Sequence, residues 1–417
     1  MRGTVQVPGD KSLSHRALIV AALGTGTSRV RAVLASADVE ATAACLRAMG
    51  ASVPHLSNDF TVTGRGLRGL NAPVAPLDAS NSGTTARLLA GVIAAHPFRA
   101  TVIGDGSLTR RPMHRVAAPL SAMGATVALS ATGTLPMTIA GGALAPIAWE
   151  SDTASAQVKS CVLLAGLVAG VSVSVREPTP SRDHTERMLR ALGAPVTVDD
   201  GGVTLAPCAQ LDALDLRSPG DPSSAAFLAA LAAASDGGEV VLSNVGLNPT
   251  RGGFFATLQR MGASVELLDR REEGGEPVGT VRVQPCGLRG RSVGGPTIPT
   301  MIDELPLVAC LGAMAEGETI IRDASELRAK ESDRIAAVVA NLRALGADAE
   351  EFPDGLRVVG NRGALHAGAV VTHGDHRLAM AFAVLGAAAG VEVTVDDPAC
   401  VDVSYPAFWR DLASLAQ

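Results

Sequence analysis

Cations gather where helices are expected to begin. Lys11 and Arg16 open one apolar segment, and Arg110-Arg111-Pro112 opens another, with Pro112 suited to a first helical position. Lys330 and Arg334 precede and open a third, and Arg377 opens a fourth. The helix dipole disfavours a cation at an N-terminus by about 0.3–1 kcal/mol. Cations combined with the free N–H groups of a first turn make an anion site. One such arginine reads equally well as a surface charge reaching for water. The same placement at four helix starts of a repeating chain points to polyanionic ligands. Carboxylates stand beside the cations: Asp303-Glu304 before an apolar helix, Glu331 after Lys330 in AKESDR, and Asp375 in Asp375-His376-Arg377. A carboxylate among cations is either an ion-pair partner or a general acid or base. Asp333 and Asp375 read as structural. At Asp303 a helix cap and a proton acceptor both fit the spacing.

The elements that must position these residues recur. A segment ending in MGA or LGA, followed by an alternating strand, appears around Gly50, Gly124, Gly193, Gly262 and Gly346, and a sixth copy runs from Tyr405 to Gln417. Each is preceded by an apolar, Ala-rich helix opening on a polar turn. Self-similarity of this kind decides the architecture before any single element does. In the first copy, Val5–Val7 reads as a strand and Ser14–Leu23 as a helix, with Ser12 or Ser14 as N-cap and Gly24 as stop. Ser28–Leu34 alternates as a strand, and Val39–Met49 reads as a helix closed by a left-handed Gly50. Val53–Leu56 and Phe60–Thr63 read as a hairpin across Ser57-Asn58-Asp59. The unit is βαβαββ. Its first helix is apolar almost all round and should be buried, and its second carries charge on one face.

Composition fits an α/β enzyme. A chain of 417 residues exceeds one ordinary core, and six units divide as three and three. The longest apolar run, Cys161 to Val171, is shorter than the roughly 20 residues a bilayer needs. The start, MRGTVQVPGDK, lacks the apolar core of a signal peptide. The six cysteines form no Cys-x-x-Cys and no zinc spacing, which suits a reducing cytoplasm. A net charge of −6 with 3% aromatics argues against nucleic acid. Gly24-Thr25-Gly26 reads as a helix stop, Gly104-Asp105-Gly106 as a turn, and His373-Gly374-Asp375-His376 lacks a third metal ligand.

The ordered segments PGDKSLSHRAL (8–18), NSGTTAR (81–87), RRP (110–112), SAQVKS (155–160), SRDHTE (181–186), NPTR (248–251), the Asp303 turn, AKESDR (329–334) and GDHR (374–377) together resemble the 5-enolpyruvylshikimate-3-phosphate synthase family. GDKS, SAQVK, RDHTE and NPTR look like its glyphosate-tolerant branch. The resemblance implies the two-domain α/β enolpyruvyl transferase fold, six βαβαββ repeats with three per domain. Residues 10–219 would form one domain, and 1–9 with 220–417 the other, the active site lying in the cleft. It implies transfer of the enolpyruvyl group of phosphoenolpyruvate to the 5-hydroxyl of shikimate 3-phosphate, by a cytoplasmic monomer without metal or cofactor.

Roles follow from the resemblance position by position. Lys11 matches a lysine touching both substrates that also moves protons. Ser12, Arg16, Ser155, Ala156, Gln157, Ser181, Arg182, Asp303, Glu326 and Lys330 match the shikimate 3-phosphate site. Lys11, Gly83, Arg111, Gln157, Arg334 and Arg377 match the phosphoenolpyruvate site. Asp303 matches the base for the 5-hydroxyl, and Glu331 a proton donor to the methylene carbon. Three positions depart from the pattern. Ala156 replaces a serine whose contact Arg182 could supply, Glu326 replaces an asparagine, and Val403 replaces a lysine. Two alternatives stay open. The sister enzyme acting on UDP-N-acetylglucosamine typically has a reactive cysteine where this chain reads GDGSLTRRPMHR, and an asparagine where Ser12 follows Lys11. A non-catalytic repeat scaffold would not need these cations and carboxylates.

Overall fold

Alternating strands and Ala-rich helices build the same small sheet again and again. The structure is a computed structural model and describes residues 2–199 and 202–415, so that Met1 and the last two residues of the sixth copy, Ala416 and Gln417, lie outside it. The chain divides into two compact units. The first holds Gly9–Ser218 and Glu272–Glu276; the second holds the chain up to Pro8, Pro219–Arg271 and everything from Pro277 onward. The earliest strand, β1 (Arg2–Val5), belongs to the second unit.

In the first unit the order is α1 (Lys11–Leu23), β2 (Thr27–Arg31), α2 (Ala37–Ala48) and β3 (Asp59–Thr63), then β4 (Leu77–Asp78), α3 (Gly83–Ala94), β5 (Arg99–Ile103), α4 (His114–Ala122), β6 (Thr126–Ala128) and β7 (Met137–Ala140). There follow β8 (Ile147–Glu150), α5 (Ala156–Ala169), β9 (Val173–Arg176), α6 (His184–Ala191), β10 (Val196–Asp199), β11 (Gly202–Leu205) and β12 (Asp215–Arg217). Two sheets share one order, β4-β5-β7-β6 and β8-β9-β11-β10. In each the first two strands are parallel, so a helix must cross over between them. α3 and α5 pack closely. A Cβ on Gly91 would lie 2.1 Å from the Cys161 carbonyl oxygen, so only glycine fits that crossing.

Several boundaries differ from the sequence expectation. α1 starts at Lys11, because Asp10 rather than a serine caps it by accepting from Leu13 N at 2.8 Å. Strand β2 ends at Arg31, where Ala32 takes a left-handed φ of 53°. No strand forms at 53–56. Pro54 has no N–H to give a ladder, and only an isolated Ser52–Thr63 bridge remains. α4 starts at His114, so Pro112 is not its first residue. Val5–Val7 is not the opening strand of the first repeat. That place in the sheet β12-β2-β3 is taken by β12, from the far end of the unit. Alternation marks a strand but does not name its partner. The helix-closing Gly50, Gly124, Gly193, Gly262 and Gly346 all have positive φ, between 82° and 112°.

The second unit pairs β1 in parallel with β13, Arg2 opposite Glu239. Its elements are α7 (Pro222–Ala234), β13 (Glu239–Gly246), α8 (Gly253–Arg260), β14 (Ser264–Glu273) and β15 (Glu276–Gln284), then β16 (Ser292–Val293), α9 (Leu305–Met314), β17 (Gly317–Ile321), α10 (Arg334–Ala344), β18 (Asp348–Phe352) and β19 (Gly355–Gly360). β20 (Gly368–Val370), α11 (His376–Ala389), β21 (Val393–Val395) and α12 (Phe408–Leu415) follow. The sheets β1-β13-β15-β14 and β16-β17-β19-β18 repeat the order seen in the first unit, and β20-β21 stops at two strands. Every residue of α7 is buried, as its Ala-rich, charge-free sequence requires, and α11 packs on α7 and α9. Each unit has its own apolar core.

Candidate active site

The first unit brings its candidate residues together at helix starts. Lys11, the first residue of α1, pairs with Asp38 of α2. Arg16, one turn further, is buried. Its Nε donates to Thr185 Oγ1 at 2.7 Å, Nη2 to Ser160 Oγ at 2.8 Å and Nη1 to the Ser12 carbonyl at 3.0 Å. Burial pulls its guanidinium down to about 10, against the attraction of Glu186. Gly83 is the first residue of α3, behind the cap Ser82, whose Oγ accepts from Thr85 N at 3.1 Å. A Cβ on Gly83 would lie 2.7 Å from Arg87 Nη1 and 3.5 Å from Arg111 Nη1. Two guanidinium groups therefore face the helix start. Arg87 donates to Gln157 Oε1 at 2.6 Å, Gln157 donates to Thr84 Oγ1 at 2.9 Å, and Arg111 donates to Asn81 Oδ1 at 2.7 Å.

Ala156 and Gln157 are the first two residues of α5, capped by Ser155, whose Oγ accepts from Val158 N at 3.4 Å. Ser181 and Arg182 lie in the connection from β9 to α6. The Ser181 hydroxyl donates to the Glu177 carboxylate at 2.8 Å.

In the second unit three helix starts meet at one guanidinium. Arg334, first in α10 and 1% exposed, donates Nε to Asp375 Oδ2 at 2.8 Å, Nη2 to Glu331 Oε2 at 2.7 Å and Nη1 to Asp303 Oδ1 at 3.3 Å. Burial alone would lower its proton affinity, but the three carboxylates outweigh burial and raise it. Asp375 is buried and caps α11, accepting from Arg377 N at 3.0 Å, and Asp333 caps α10. The N-cap position of α9 falls on Glu304, not on Asp303. α9 starts at Leu305 without a side-chain cap bond, and the Asp303 carboxylate turns instead to Arg334 and to Lys330, 3.7 Å away. Arg377 makes no ion pair among the described residues, and its guanidinium lies 6.0 Å from the Phe227 ring centre. Glu326 sits in the short 325–329 turn, and Val403 ends the 398–403 turn. The NPTR arginine, Arg251, is buried against Ser223 Oγ at 2.6 Å and Asp221 at 3.2 Å. Among the described residues no His, Cys, Asp and Glu group could hold a metal, and no helix is long and apolar enough to cross a membrane.

The sequence profile of the EPSP synthase family, 3-phosphoshikimate 1-carboxyvinyltransferase, matches residues 1–412. The chain belongs to the EPSP synthase family. It is 48% identical to the 3-phosphoshikimate 1-carboxyvinyltransferase of Desulforamulus reducens, over 98% of this chain and 95% of that protein. It is 49% identical to the enzyme of that name from Pelotomaculum thermopropionicum, over 100% of this chain and 96% of that one. The solved EPSP synthase of Acinetobacter baumannii superposes with a TM-score of 0.86 at 39% identity, covering 100% of this chain and 95% of that one. The family resemblance drawn from the nine motifs is borne out, and the fold is the EPSP synthase fold.

Motif reading assigned no role to Arg87, Asp38 or Glu177. Arg87 stands four residues after Gly83, one helical turn away and on the same face, a spacing that marks it as a neighbour. Asp38 carries no such local signal, because its partner Lys11 lies far off in the sequence, and Glu177 meets the nearby Ser181 only through a loop, where a spacing of four marks no shared face.

Proposed function

We propose that this chain transfers the enolpyruvyl group of phosphoenolpyruvate to the 5-hydroxyl of shikimate 3-phosphate and releases inorganic phosphate. The observation that carries this is the family match over nearly the whole chain. Both substrates are polyanions, and the helix-start cations suit them. The cluster around Arg16, Ser12, Ser155, Ala156, Gln157, Ser181 and Arg182 takes shikimate 3-phosphate, together with Glu326 and Lys330. Gly83, Arg111, Lys11, Gln157, Arg334 and Arg377 take phosphoenolpyruvate. The absence of a side chain at Gly83 leaves its N–H open to that substrate.

Asp303 accepts the 5-hydroxyl proton as the oxygen attacks the C2 carbon of phosphoenolpyruvate. Glu331 delivers a proton to the methylene carbon, giving a tetrahedral adduct. The Glu331 carboxylate then takes a methyl proton back, and the electron pair of that C–H bond restores the double bond as the C–O bond to phosphate breaks. Lys11 and the three arginines stabilise charge on the departing phosphate. The Asp303 carboxylate lies beside the cations Arg334 and Lys330, which supports its place in the reacting site.

Phosphate release is measured with both substrates, with each alone, and with UDP-N-acetylglucosamine in place of shikimate 3-phosphate. Turnover only with shikimate 3-phosphate is expected. Turnover only with the nucleotide sugar overturns the reading. The nucleotide-sugar and scaffold alternatives are not favoured by a chain this similar to named 3-phosphoshikimate carboxyvinyltransferases.

A further inference from the structure

Glu177 directly follows β9, and its carboxylate ties together two chain connections that are separate in sequence. Oε1 accepts from Ser155 N at 2.7 Å. Ser181 donates its N to Oε2 at 3.2 Å and its Oγ to both oxygens at 2.8 Å. Ser155 belongs to the β8–α5 connection and Ser181 to the β9–α6 connection. Lys159, within the first turn and a half of α5, pairs with Glu177 at 3.0 Å and Glu186 at 2.8 Å and donates to the Ser181 carbonyl at 3.3 Å. An ammonium has three donors, and all three are used here. The three ionised side chains are only 4–6% exposed.

Such burial is costly for stability, and a buried ion cluster is weak evidence that stability is its purpose. What the cluster fixes is the separation of two serine-bearing loops. Ser155 Oγ accepts from Val158 N, which leaves its own proton to donate to an anion. Glu177 and Glu186 outnumber Lys159 by one charge, and the Arg16 cation, which Glu186 attracts, balances the remainder beside the site.

We propose that Glu177, held by Lys159, is a positioning residue for the phosphate end of shikimate 3-phosphate. It sets the spacing of Ser155 and Ser181 without touching substrate. The inference rests on the reaction proposed above and deepens it.

The test uses steady-state kinetics and calorimetric binding of shikimate 3-phosphate on wild type, Glu177→Gln, Ser155→Ala and the double variant. Loss of one charged acceptor is expected to raise both the KM and the Kd for shikimate 3-phosphate about tenfold. Turnover and the KM for phosphoenolpyruvate stay within about threefold, within the same scale. Ser155→Ala is expected to cost much less in the Glu177→Gln background than alone, because the two act on one contact. A purely structural role moves the melting temperature, leaves the Kd within twofold of wild type and gives independent effects; that outcome overturns the proposal. If Glu177→Gln does not fold by circular dichroism, Glu177→Asp keeps the charge balance with Lys159 and Glu186, shortens the reach to Ser155, and is judged by the same Kd criterion. Wild type that neither binds nor turns over shikimate 3-phosphate sinks the reaction itself. Wild type that does both, beside an unaltered Glu177→Gln, sinks only the positioning role.

Discussion

Arg16 in the first unit and Arg334 in the second are both arginines at helix starts and both buried, yet their surroundings are opposite. Arg16 touches two hydroxyls and a carbonyl, while Arg334 touches three carboxylates. Burial penalises both charges. Only at Arg334 do neighbours outweigh it, so its proton affinity rises while that of Arg16 falls to about 10. Neutral acceptors orient a guanidinium without cancelling its charge. Carboxylates keep it charged, and Arg334 in turn holds Asp303 and Glu331 in place. A count of cations at helix starts treats the two alike. Their partners separate a guanidinium held by neutral groups from one that also holds Asp303 and Glu331.

The largest test of that division is Asp303→Asn. If the second unit supplies the proton acceptor, turnover falls by about 10²–10⁴-fold while affinity for shikimate 3-phosphate barely changes. Turnover within threefold of wild type would reduce Asp303 to an ion-pair partner of Lys330.

Stability separates the two arginines next. Arg334→Met strands the buried Asp375 and should cost about 3–5 kcal/mol in guanidinium unfolding. Arg16→Met should cost less, about 1 kcal/mol, because Ser160 and Thr185 still hydrogen-bond to each other at 2.7 Å and no carboxylate loses a salt bridge, only the longer-range attraction of Glu186. It should instead weaken shikimate 3-phosphate binding. Equal unfolding costs at the two sites would erase the distinction drawn between them.

A smaller effect is expected at Gly83. Glyphosate, competing at the proposed phosphoenolpyruvate site, is the probe, and the added methyl of Gly83→Ala would sit 2.7 Å from Arg87 Nη1. Arg87 is a flexible side chain and can give way, so the inhibition constant should rise while the KM for phosphoenolpyruvate rises less. Identical inhibition constants for the two enzymes would remove the steric argument.

The smallest concerns pH. His15 is buried beside Lys11 and Arg16, with Nδ1 2.7 Å from Thr42 Oγ1. Burial first, then the two cations, holds its pKa well below 6.5. Above pH 6.5 the ring is neutral in both folded and unfolded chains. Below it the unfolded chain takes up a proton that the folded chain does not, so stability falls as pH falls. One proton limits the slope to about 1.4 kcal/mol per pH unit. Between pH 6.5 and 5.5, wild type should therefore lose up to about 1 kcal/mol more than His15→Gln. Parallel pH curves would show that His15 titrates when folded.

Much of the fold could be read from the residues, because it rests on local signals. The five MGA and LGA glycines mark helix ends through their own backbone geometry, and Ala-rich helices such as α7 announce burial through composition. What escaped reading was non-local. Nothing in Val5–Val7 says that its strand pairs with β13 rather than β2. Pro54 forbids a ladder that alternation alone would allow. At the site, Asp303 was left open between cap and acceptor because both need a carboxylate at one position. Only the direction of its side chain, toward Lys330 and Arg334, separates them. Glu177 was missed because its chemistry depends on Ser155 and Lys159, which reach it from the other end of a helix and strand of the same repeat.

The pairing of β1 with β13 also bears on the order in which the chain can fold as it is made. Synthesis runs from the N-terminus, and β1 is complete long before its partner Glu239–Gly246 has been translated. All of Gly9–Ser218 emerges in between, and it already contains β12 to fill the edge of its first sheet. The nascent chain therefore carries an unpaired early strand past an insert able to close most of its own sheets. Val7 and Gly220, with the Pro8 carbonyl bonded to Asp221 N at 2.8 Å, form the seam at which the waiting strand is finally taken up. Long-range closure of this kind is slow. The growing polypeptide should lean on chaperones most during that interval.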